Sequence, residues 1–252
     1  MDNLIWLQKE ELFARAVPTL EQVEVVLDIG PGIQPQQYIK PLVHICCEPF
    51  PQYVERLKTI AAQAKDRAYV IFNMTWAEAV RVLPAKSVDT VILFDVIEHV
   101  GKEEGQKLLE QTLRIARRQV VIFTTLGFVQ QHHADGKDAW GLDGAAWQEH
   151  KSGWLPEEFG PGWKVMASKE FHLTDNMGDP RSKPAGALWA IFTHPQASTE
   201  PSFRSVLLHL WNAGVRNNFR PTIRVAIGFL EATHRIKRFV WPILRWFVRR
   251  EP

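Results

Sequence analysis

The chain has few cysteines, and they do not build a metal site. Only two occur among 252 residues, Cys46 and Cys47, and they are neighbours inside an apolar segment. Adjacent cysteines do not form a disulfide without strain, and no other cysteine is present to complete a metal site. The pair therefore predicts inert core thiols of a protein in a reducing compartment.

Long apolar runs are also missing. The N-terminal segment 1–16 carries Glu10 and Glu11 within its apolar pattern, which is not the pattern of a signal peptide. Within residues 221–250 the longest uncharged runs are six residues each, whereas a helix needs about 20 apolar residues to cross a bilayer. The sequence predicts a cytoplasmic protein, either free or peripheral on the inner face of the membrane.

Acidic residues are scarce in the C-terminal part. Residues 201–252 hold ten Lys+Arg and two Asp+Glu, whereas residues 1–200 hold twenty and twenty-six. Over 221–250 apolar side chains recur at helical spacing opposite most of the arginines, which predicts a basic amphipathic helix. Such a helix would contact a membrane surface or a protein, including a second copy of the chain as a homodimer. Its large apolar side chains disfavour nucleic acid.

The most informative stretch is a short apolar run that ends in two glycines. Val25–Ile29 is β-branched and apolar apart from Asp28, which is typical of a buried parallel strand. Gly30 and Gly32 then let the backbone turn sharply and approach a ligand closely. With a short helix expected over 35–40, this stretch predicts the first crossover of a nucleotide-binding α/β fold.

A second apolar run places an acid where a ribose would lie. Residues 43–47 are followed by Glu48, eighteen residues after Gly30, where a carboxylate can accept both ribose hydroxyls. Pro35 occupies the third glycine position of the dinucleotide fingerprint, which disfavours close helix packing beneath a pyrophosphate. Asp28, just before the glycines, suits a cationic sulfonium better than a phosphate.

These residues and the run Phe94-Asp95-Val96-Ile97-Glu98-His99-Val100 resemble the class I S-adenosylmethionine-dependent methyltransferases. The resemblance implies an α/β, doubly wound, Rossmann-like sheet of seven strands in the order 3-2-1-4-5-7-6, with the last strand antiparallel. This domain would cover residues 21–197. An N-terminal segment, 1–20, with helical spacing over 3–16, would cover a sheet edge or act as a lid, and 198–252 would be a helical extension.

The resemblance also implies S-adenosylmethionine as the cofactor. Asn73 stands where the family often has an acid that bonds the adenine amino group, and an asparagine carbonyl can accept the same bond. The residues expected to bind the cofactor are Asp28, Gly30, Gly32, Glu48, Pro49, Asn73, Met74, Phe94 and Asp95.

Residues 125–163 predict a substrate-facing insert, because they lack a long periodic run and are rich in Gly, His, Trp, Asp and Gln. The segment Gln148-Glu149-His150-Lys151-Ser152-Gly153-Trp154 resembles a methyltransferase subgroup frequent in bacterial sugar and polysaccharide assembly. The candidate substrate-binding residues are His132, His133, Asp135 and Trp154. The two histidines and the aspartate among them are expected to form a polar substrate surface, so no metal site is predicted.

Two histidines are candidates for the catalytic base. A hydroxyl acceptor loses its proton as the new bond forms, and histidine suits this role near pH 7. His99 is the first choice, since it follows the fourth strand beside the expected sulfonium, and His150 is the second. The alternative role of His99 is a structural hydrogen bond. Asp95 and Glu98 would orient the base or accept bonds from the cofactor amino group.

The function predicted from these observations is O-methylation of a sugar hydroxyl in a glycan or a lipid-linked glycan. A small lipophilic acceptor is the alternative, although a more aliphatic insert would suit it better. Gln34 and Asn73 depart from the family pattern and leave open a catalytically inactive binding or scaffold protein. An NAD-dependent reductase is a third hypothesis, which a bound dinucleotide would establish.

Overall fold

One mixed sheet of eight strands runs through the described part of the chain. The computed structural model describes residues 3–131, 133, 136–176 and 178–195. The strands are β1 (Leu4–Trp6), β2 (Val25–Ile29), β3 (Val43–Glu48), β4 (Ala68–Asn73), β5 (Val88–Phe94), β6 (Ala116–Leu126), β7 (Trp163–Thr174) and β8 (Pro180–Thr193). The helices are α1 (Lys9–Ala16), α2 (Pro51–Gln63), α3 (Trp76–Val82), α4 (Lys102–Ile115) and α5 (Ala145–Gln148).

The strand order is β4-β3-β2-β5-β6-β8-β7-β1. The strands from β4 to β6 in this order are parallel, and β8 runs antiparallel to both β6 and β7. Counted from β2, the seven strands follow the order 3-2-1-4-5-7-6 with the last one antiparallel, so the predicted sheet is confirmed. The additional strand β1 extends the sheet beside β7, to which it is parallel.

The N-terminal segment is a strand followed by a helix, not one helix over 3–16. Leu4–Trp6 pairs with residues 165–167 of β7, and this pairing satisfies backbone groups that an open sheet edge would leave free. The helix therefore begins only at Lys9, and it buries Leu12 and Ala16 in the core.

The crossover from β2 to β3 lacks the helix predicted over 35–40. Residues 30–42 are all described, and none of them is helical. Pro31, Pro35 and Pro41 fall in this segment, and each removes a backbone donor that a helix would need. The segment is therefore a loop.

Side-chain hydrogen bonds take the place of helical ones in this loop. The Gln36 side chain donates to the carbonyl of Ile39 (3.0 Å) and accepts from its N–H (2.9 Å). The N–H of Gln36 donates to Oδ2 of Asp28 (3.0 Å). These bonds hold the loop against the end of β2, where the glycine turn begins.

The core lies on both faces of the sheet because the central strands are buried on both sides. Leu27 and Leu93 pack on the face covered by α3 and α4, whereas Val26 and Ile92 pack on the face covered by α1. Such two-sided burial accounts for the consecutive apolar residues Val25–Leu27 of β2 and Val91–Phe94 of β5. The ligand cleft lies at the carboxyl ends of these strands.

Both cysteines are buried in β3 and form no disulfide. Burial raises the pKa of each thiol well above its usual range. The prediction of core thiols is confirmed.

Among the helices of the described residues, none is both long enough and apolar enough to cross a membrane. The helical extension predicted over 198–252, with its amphipathic segment 221–250, lies outside the described residues.

Candidate functional site

A cleft of about 1080 Å³ opens at the carboxyl ends of β2, β3, β5 and β6. In doubly wound sheets this edge is where ligands bind. The predicted residues that line the cleft are Asp28, Gly30, Gly32, Glu48, Pro49, Phe94, Asp95, His99 and His150. The cleft therefore brings together most of the predicted cofactor residues and both candidate bases.

The glycine turn after β2 requires glycine at two positions. Gly30 and Gly32 have φ angles of +65° and +57°, a region that other residues rarely adopt. A Cβ at Gly30 would lie 3.0 Å from the Val96 side chain, and one at Gly32 would lie 2.5 Å from the ring of Trp140. The turn is thus fixed by its backbone conformation and by close packing on the cleft side.

Glu48 lies at the end of β3 with its carboxylate beside the glycine turn. Its two oxygens accept the N–H of Gly32 (3.0 Å) and the N–H of Phe50 (2.9 Å). Burial nevertheless raises the pKa of Glu48 to about 7. Each carboxylate oxygen keeps a further lone pair, which can accept a ribose hydroxyl.

Asp28 lies beneath the glycine turn. Its Oδ2 accepts the N–H of Gln36 and contacts Nε2 of His44, both at 3.0 Å. The side chain borders the cleft and also fixes the loop that follows the turn.

Neither Asn73 nor Met74 lines the cleft, and the cofactor contacts predicted for them stay a prediction. The Asn73 amide nitrogen donates to the carbonyls of Glu48 (3.0 Å) and Pro49 (2.7 Å). Met74 packs against the core, and its N–H donates to the Glu48 carbonyl (3.2 Å). Both residues therefore hold the end of β3, and the cleft wall here is formed by the next residues, Thr75 and Trp76.

Part of the insert folds over the cofactor end of the cleft, which the sequence did not predict. Oδ1 of Asp138 accepts the N–H groups of Trp140 (2.8 Å) and Leu142 (2.9 Å), and its Oδ2 accepts the Tyr53 hydroxyl (2.5 Å). Trp140 lies against Gly32, and its ring centroid is 5.1 Å from that of Tyr53. The segment Asp138-Ala-Trp-Gly has an aspartate followed three residues later by a glycine, which is typical of a turn. This pattern could have located the loop from the sequence.

Three side chains form a cluster at one end of the cleft: Glu98, His99 and His150. We call this end the acceptor end. One ligand atom from each side chain lies within 4.8 Å of the other two. Glu98 and His99 belong to a short 3₁₀ turn after β5, and His150 comes from the insert. The N–H groups of Lys151 (2.7 Å) and Ser152 (3.0 Å) donate to the Glu98 carbonyl, so the backbone holds the two segments together.

Trp154 has a different role from the substrate contact predicted for it. Its side chain is fully buried and does not line the cleft. Its indole N–H donates to the Ile97 carbonyl (3.1 Å), and the ring packs on Gly105 of α4, where a Cβ would come within 2.5 Å. Trp154 therefore anchors the insert beside the 3₁₀ turn that carries Glu98 and His99.

Two of the remaining predicted substrate residues, His132 and Asp135, lie outside the described residues. His133 does not line the cleft, and its ring contacts the Lys137 carbonyl (3.0 Å) and the Gln131 amide (3.2 Å). Gln131 does line the cleft and lies 2.8 Å from Nε2 of His150. His133 thus supports a residue of the cleft rather than forming its wall.

Burial shifts the pKa values of the titratable side chains at the acceptor end of the cleft. It lowers the pKa of His99 and of His150 to about 4, so both rings are neutral at pH 7. Burial raises the pKa of Glu98 to about 7. Asp95 is exposed at the surface of the cleft, and its pKa is raised by loss of solvation among its neighbours and by repulsion from Glu98. Asp95 has a φ of 51°, a strained conformation that is common at functional sites.

Aromatic side chains form the wall opposite this cluster. They come from α1, the loop after the glycine turn and strands β5, β6 and β8, and they are Phe13, Tyr38, Phe94, Phe123 and Trp189. The ring centroid of Trp189 lies 5.1 Å from that of Phe13 and 5.1 Å from that of Phe94. The polar side chains of His172 and Arg181 border the same region. The N-terminal helix therefore contributes directly to the cleft.

The strand order, the glycine turn and Glu48 at the tip of the second predicted strand form one constellation. Glu48 lies beside the glycine turn, and Asp28 and Asp95 border the same cleft. The fold is the class I methyltransferase fold. The residues of its cleft fit S-adenosylmethionine, the cofactor of that fold.

No protein-family model and no curated protein matches the chain. Among solved structures it is similar to an S-adenosylmethionine-dependent methyltransferase from Archaeoglobus fulgidus, with 14% identity over 72% of this chain and 91% of the other and a TM-score of 0.45. It is also similar to magnesium protoporphyrin IX methyltransferase from Synechocystis PCC 6803 with bound cofactor, with 16% identity over 67% and 70% and a TM-score of 0.38.

A third similar structure is that of WbdD, at 13% identity and a TM-score of 0.42. The match covers 75% of this chain, but the chain spans only 40% of WbdD. Similarity at this level assigns no acceptor to the chain.

Proposed function

We propose that the protein transfers a methyl group from S-adenosylmethionine to a hydroxyl oxygen of a sugar in a glycan or a lipid-linked glycan. One observation carries the proposal: a single cleft joins the glycine turn and Glu48 at one end to His99 and His150 at the other. A methyl donor held at the first end would present its sulfonium toward the second. The enzyme would supply much of the rate by holding donor and acceptor in line.

The transfer is an in-line displacement. The acceptor oxygen forms a bond to the methyl carbon as the bond from that carbon to sulfur breaks, and the sulfonium leaves as a neutral thioether. The hydroxyl proton must depart in the same process. In the simplest form of the reaction Nε2 of His99 takes it, since Nδ1 of this ring donates to the Glu149 carbonyl (3.2 Å).

The surroundings of the acceptor end support a ring-shaped acceptor with hydroxyl groups. The exposed ring of Tyr38 can stack on a sugar ring, while Gln131, His172 and Arg181 can bind hydroxyls. The same five-ring wall favours a second candidate, a flat lipophilic acceptor such as a quinol.

Calorimetric titration with S-adenosylhomocysteine tests the cofactor, with NADH as the control ligand. We expect micromolar binding of S-adenosylhomocysteine alone. Glu48→Ala should weaken it by about 2 kcal/mol or more, because charge-assisted bonds to the ribose are lost. If neither ligand binds, the protein is not an active methyltransferase, and tight binding of NADH alone would indicate a reductase.

Transfer of an isotope-labelled methyl group tests the acceptor. Sugars, lipid-linked glycans and quinols are offered in parallel, and the product is located by mass spectrometry. Label in a sugar ether supports the proposal, whereas label only in the quinol product supports the second candidate. His99→Ala should retain S-adenosylhomocysteine affinity but lose transfer, which separates the two ends of the cleft.

A further inference from the structure

We infer that Glu98, His99 and His150 bind a divalent cation at the acceptor end of the cleft. The proposed cation binding is argued from the geometry of these three side chains. The role of the cation in catalysis rests on the proposed methyl transfer. Their ligand atoms lie within 4.8 Å of one another, and the three residues come from two segments joined by backbone hydrogen bonds. This site was not predicted from the sequence, where His99 and His150 were alternative bases.

The carboxylate of Glu98 provides the first reason for a cation. The residue is fully buried, and neither oxygen has a regular hydrogen-bond partner within the described residues. The nearest polar groups are the Asp95 carboxyl, the Thr124 hydroxyl and the Thr125 N–H, and they lie close enough only to moderate its pKa. Asp95 is itself an acid and offers no positive charge to Glu98. No ion pair found in the described part of the chain includes Glu98. A buried carboxylate is costly without a positive partner, and a cation would supply one.

The two histidines provide the second reason, because each has one ring nitrogen engaged and the other free to bind. Nδ1 of His99 donates to the Glu149 carbonyl, which leaves the lone pair on Nε2. Nε2 of His150 lies 2.8 Å from the Gln131 amide, and Nδ1 has no hydrogen-bond partner in the described residues. The Gln131 atom nearest to Nε2 is the amide nitrogen, and the amide oxygen faces Nε2 of His133 (3.2 Å). Because Nδ1 of His133 donates to the Lys137 carbonyl, its Nε2 is an acceptor and favours the Gln131 amide turned by 180°. In that orientation Nε2–H of His150 donates to the amide oxygen, and the lone pair of His150 is on Nδ1. Metal-binding histidines have this arrangement, with the second nitrogen held by a carbonyl or amide.

The spacing permits a cation after a small movement. Bonds of about 2.1 Å to the metal place neighbouring ligand atoms roughly 3.4 Å apart, so the side chains must approach by about 1 Å. The backbone on both sides is already fixed by the bonds from Lys151 and Ser152 to the Glu98 carbonyl. Rotation of the side chains would suffice.

The donor set selects the kind of cation. Two imidazoles and one carboxylate suit manganese, iron, cobalt or zinc, whereas magnesium and calcium prefer oxygen ligands. Three protein ligands leave coordination positions open, as in catalytic rather than structural sites. His99 and His150 border the cleft, so an acceptor oxygen would find such a position.

A cation here changes the path of the proton in methyl transfer. A ligated His99 no longer has a free nitrogen to accept it. A divalent cation lowers the pKa of a bound hydroxyl, so the proton can pass to water in the open cleft. The new carbon–oxygen bond and the departing thioether are unchanged.

The test is cation binding by the full chain, measured without any methyl acceptor. After treatment with EDTA and removal of the chelator, Co²⁺ is titrated and followed by visible absorption and calorimetry. We expect one bound ion, with affinity at least tenfold lower in Glu98→Gln and in His150→Gln. His194→Gln is the matched control, because this histidine contacts Lys86 outside the cleft.

Binding of S-adenosylhomocysteine by each variant shows that it is folded. Absence of stoichiometric Co²⁺ binding by the wild type, or equal affinity in folded Glu98→Gln and His150→Gln, would overturn the inference. Cofactor binding without Co²⁺ binding would reject the cation site alone. Co²⁺ binding without cofactor binding would reject the methyltransferase proposal alone.

Discussion

We expect Glu48 to serve cofactor binding at a cost to the stability of the free protein. Its carboxylate is buried beside the glycine turn, and burial raises its pKa to about 7 from an ordinary 4.5. The folded protein therefore holds a proton on Glu48 more tightly than the unfolded chain does. The stabilising effect of this proton is complete below pH 4.5 and disappears as the pH rises through 7.

Glu48→Gln should flatten the pH dependence of stability. For the wild type, this residue lowers the free energy of unfolding by about 3 kcal/mol between pH 4.5 and pH 8. The glutamine must turn its NH₂ toward the N–H of Gly32 or of Phe50, which costs a constant amount at every pH. Chemical denaturation at several pH values measures the slope, and equal slopes in the two proteins would contradict the prediction.

Trp154→Phe should destabilise the fold without removing a cleft contact. The substitution leaves a small cavity against Gly105 and loses the indole hydrogen bond to Ile97, which together cost roughly 1–3 kcal/mol. Thermal and chemical unfolding measure the loss. Trp147→Phe is the control, because Trp147 is 46% exposed and should change stability little. Equal stability of the two variants would argue against an anchoring role.

The sequence located the residues whose positions follow from strand ends. Gly30, Glu48 and His99 each come directly after or near the end of an apolar run, so the sheet brings them to one edge. Trp154 was misassigned because a tryptophan in a polar insert has the same local pattern whether it stacks on a ligand or packs on Gly105. The bonds by which Asn73 holds the end of β3 were not predicted, because its partners are backbone carbonyls, which leave no mark in the sequence.

We expect the loop that begins at Asp138 to act as a cover for the cofactor, because its Trp140 lies against Gly32. Tyr53 of α2 holds it through the Asp138 carboxylate, and Gly144 lies so close that a Cβ there would fall 1.9 Å from the Tyr53 hydroxyl. The loop and α2 must therefore separate if Gly144 gains a side chain.

Gly144→Ala should loosen this cover and weaken cofactor binding. Trp140 would lose its position against Gly32, so we expect at least a several-fold lower affinity for S-adenosylhomocysteine and faster proteolysis in the loop. Gly160→Ala is the matched control, since nothing lies within 4 Å of a Cβ at that position. Unchanged affinity in Gly144→Ala would show that the loop does not cover the ligand.

Strands were predicted more accurately than the segments between them. A buried strand such as β5 needs only a short apolar run, and its position in the sheet follows from the right-handed crossovers of a parallel fold. β1 was missed because three residues carry too little periodicity, and its partner β7 is about 160 residues away. The segment 35–40 was predicted as a helix, but it forms a loop. The prolines at 31, 35 and 41 remove backbone donors that a helix would need.

At the scale of the whole chain, an acidic body is joined to a basic C-terminal part. We expect the full-length protein to sediment with anionic vesicles and not with zwitterionic ones, with less binding at higher salt. Replacing Arg235, Arg238 and Arg245 by glutamine should reduce this binding at least tenfold, since each basic residue contributes about 1 kcal/mol near an anionic surface. A dimer in solution that binds neither kind of vesicle would instead favour protein contact.

The proline-rich loop after the glycine turn bears on which ligands the cleft accepts. A helix at that point would direct the positive pole of its macrodipole at the ligand, and this pole is what holds the phosphates of a dinucleotide. Residues 30–42 have no such pole, and the cleft is bordered by Asp28, Glu48 and Asp95. We therefore expect the cleft to discriminate by charge before any base or sugar is recognised, and to favour a cationic sulfonium over a pyrophosphate.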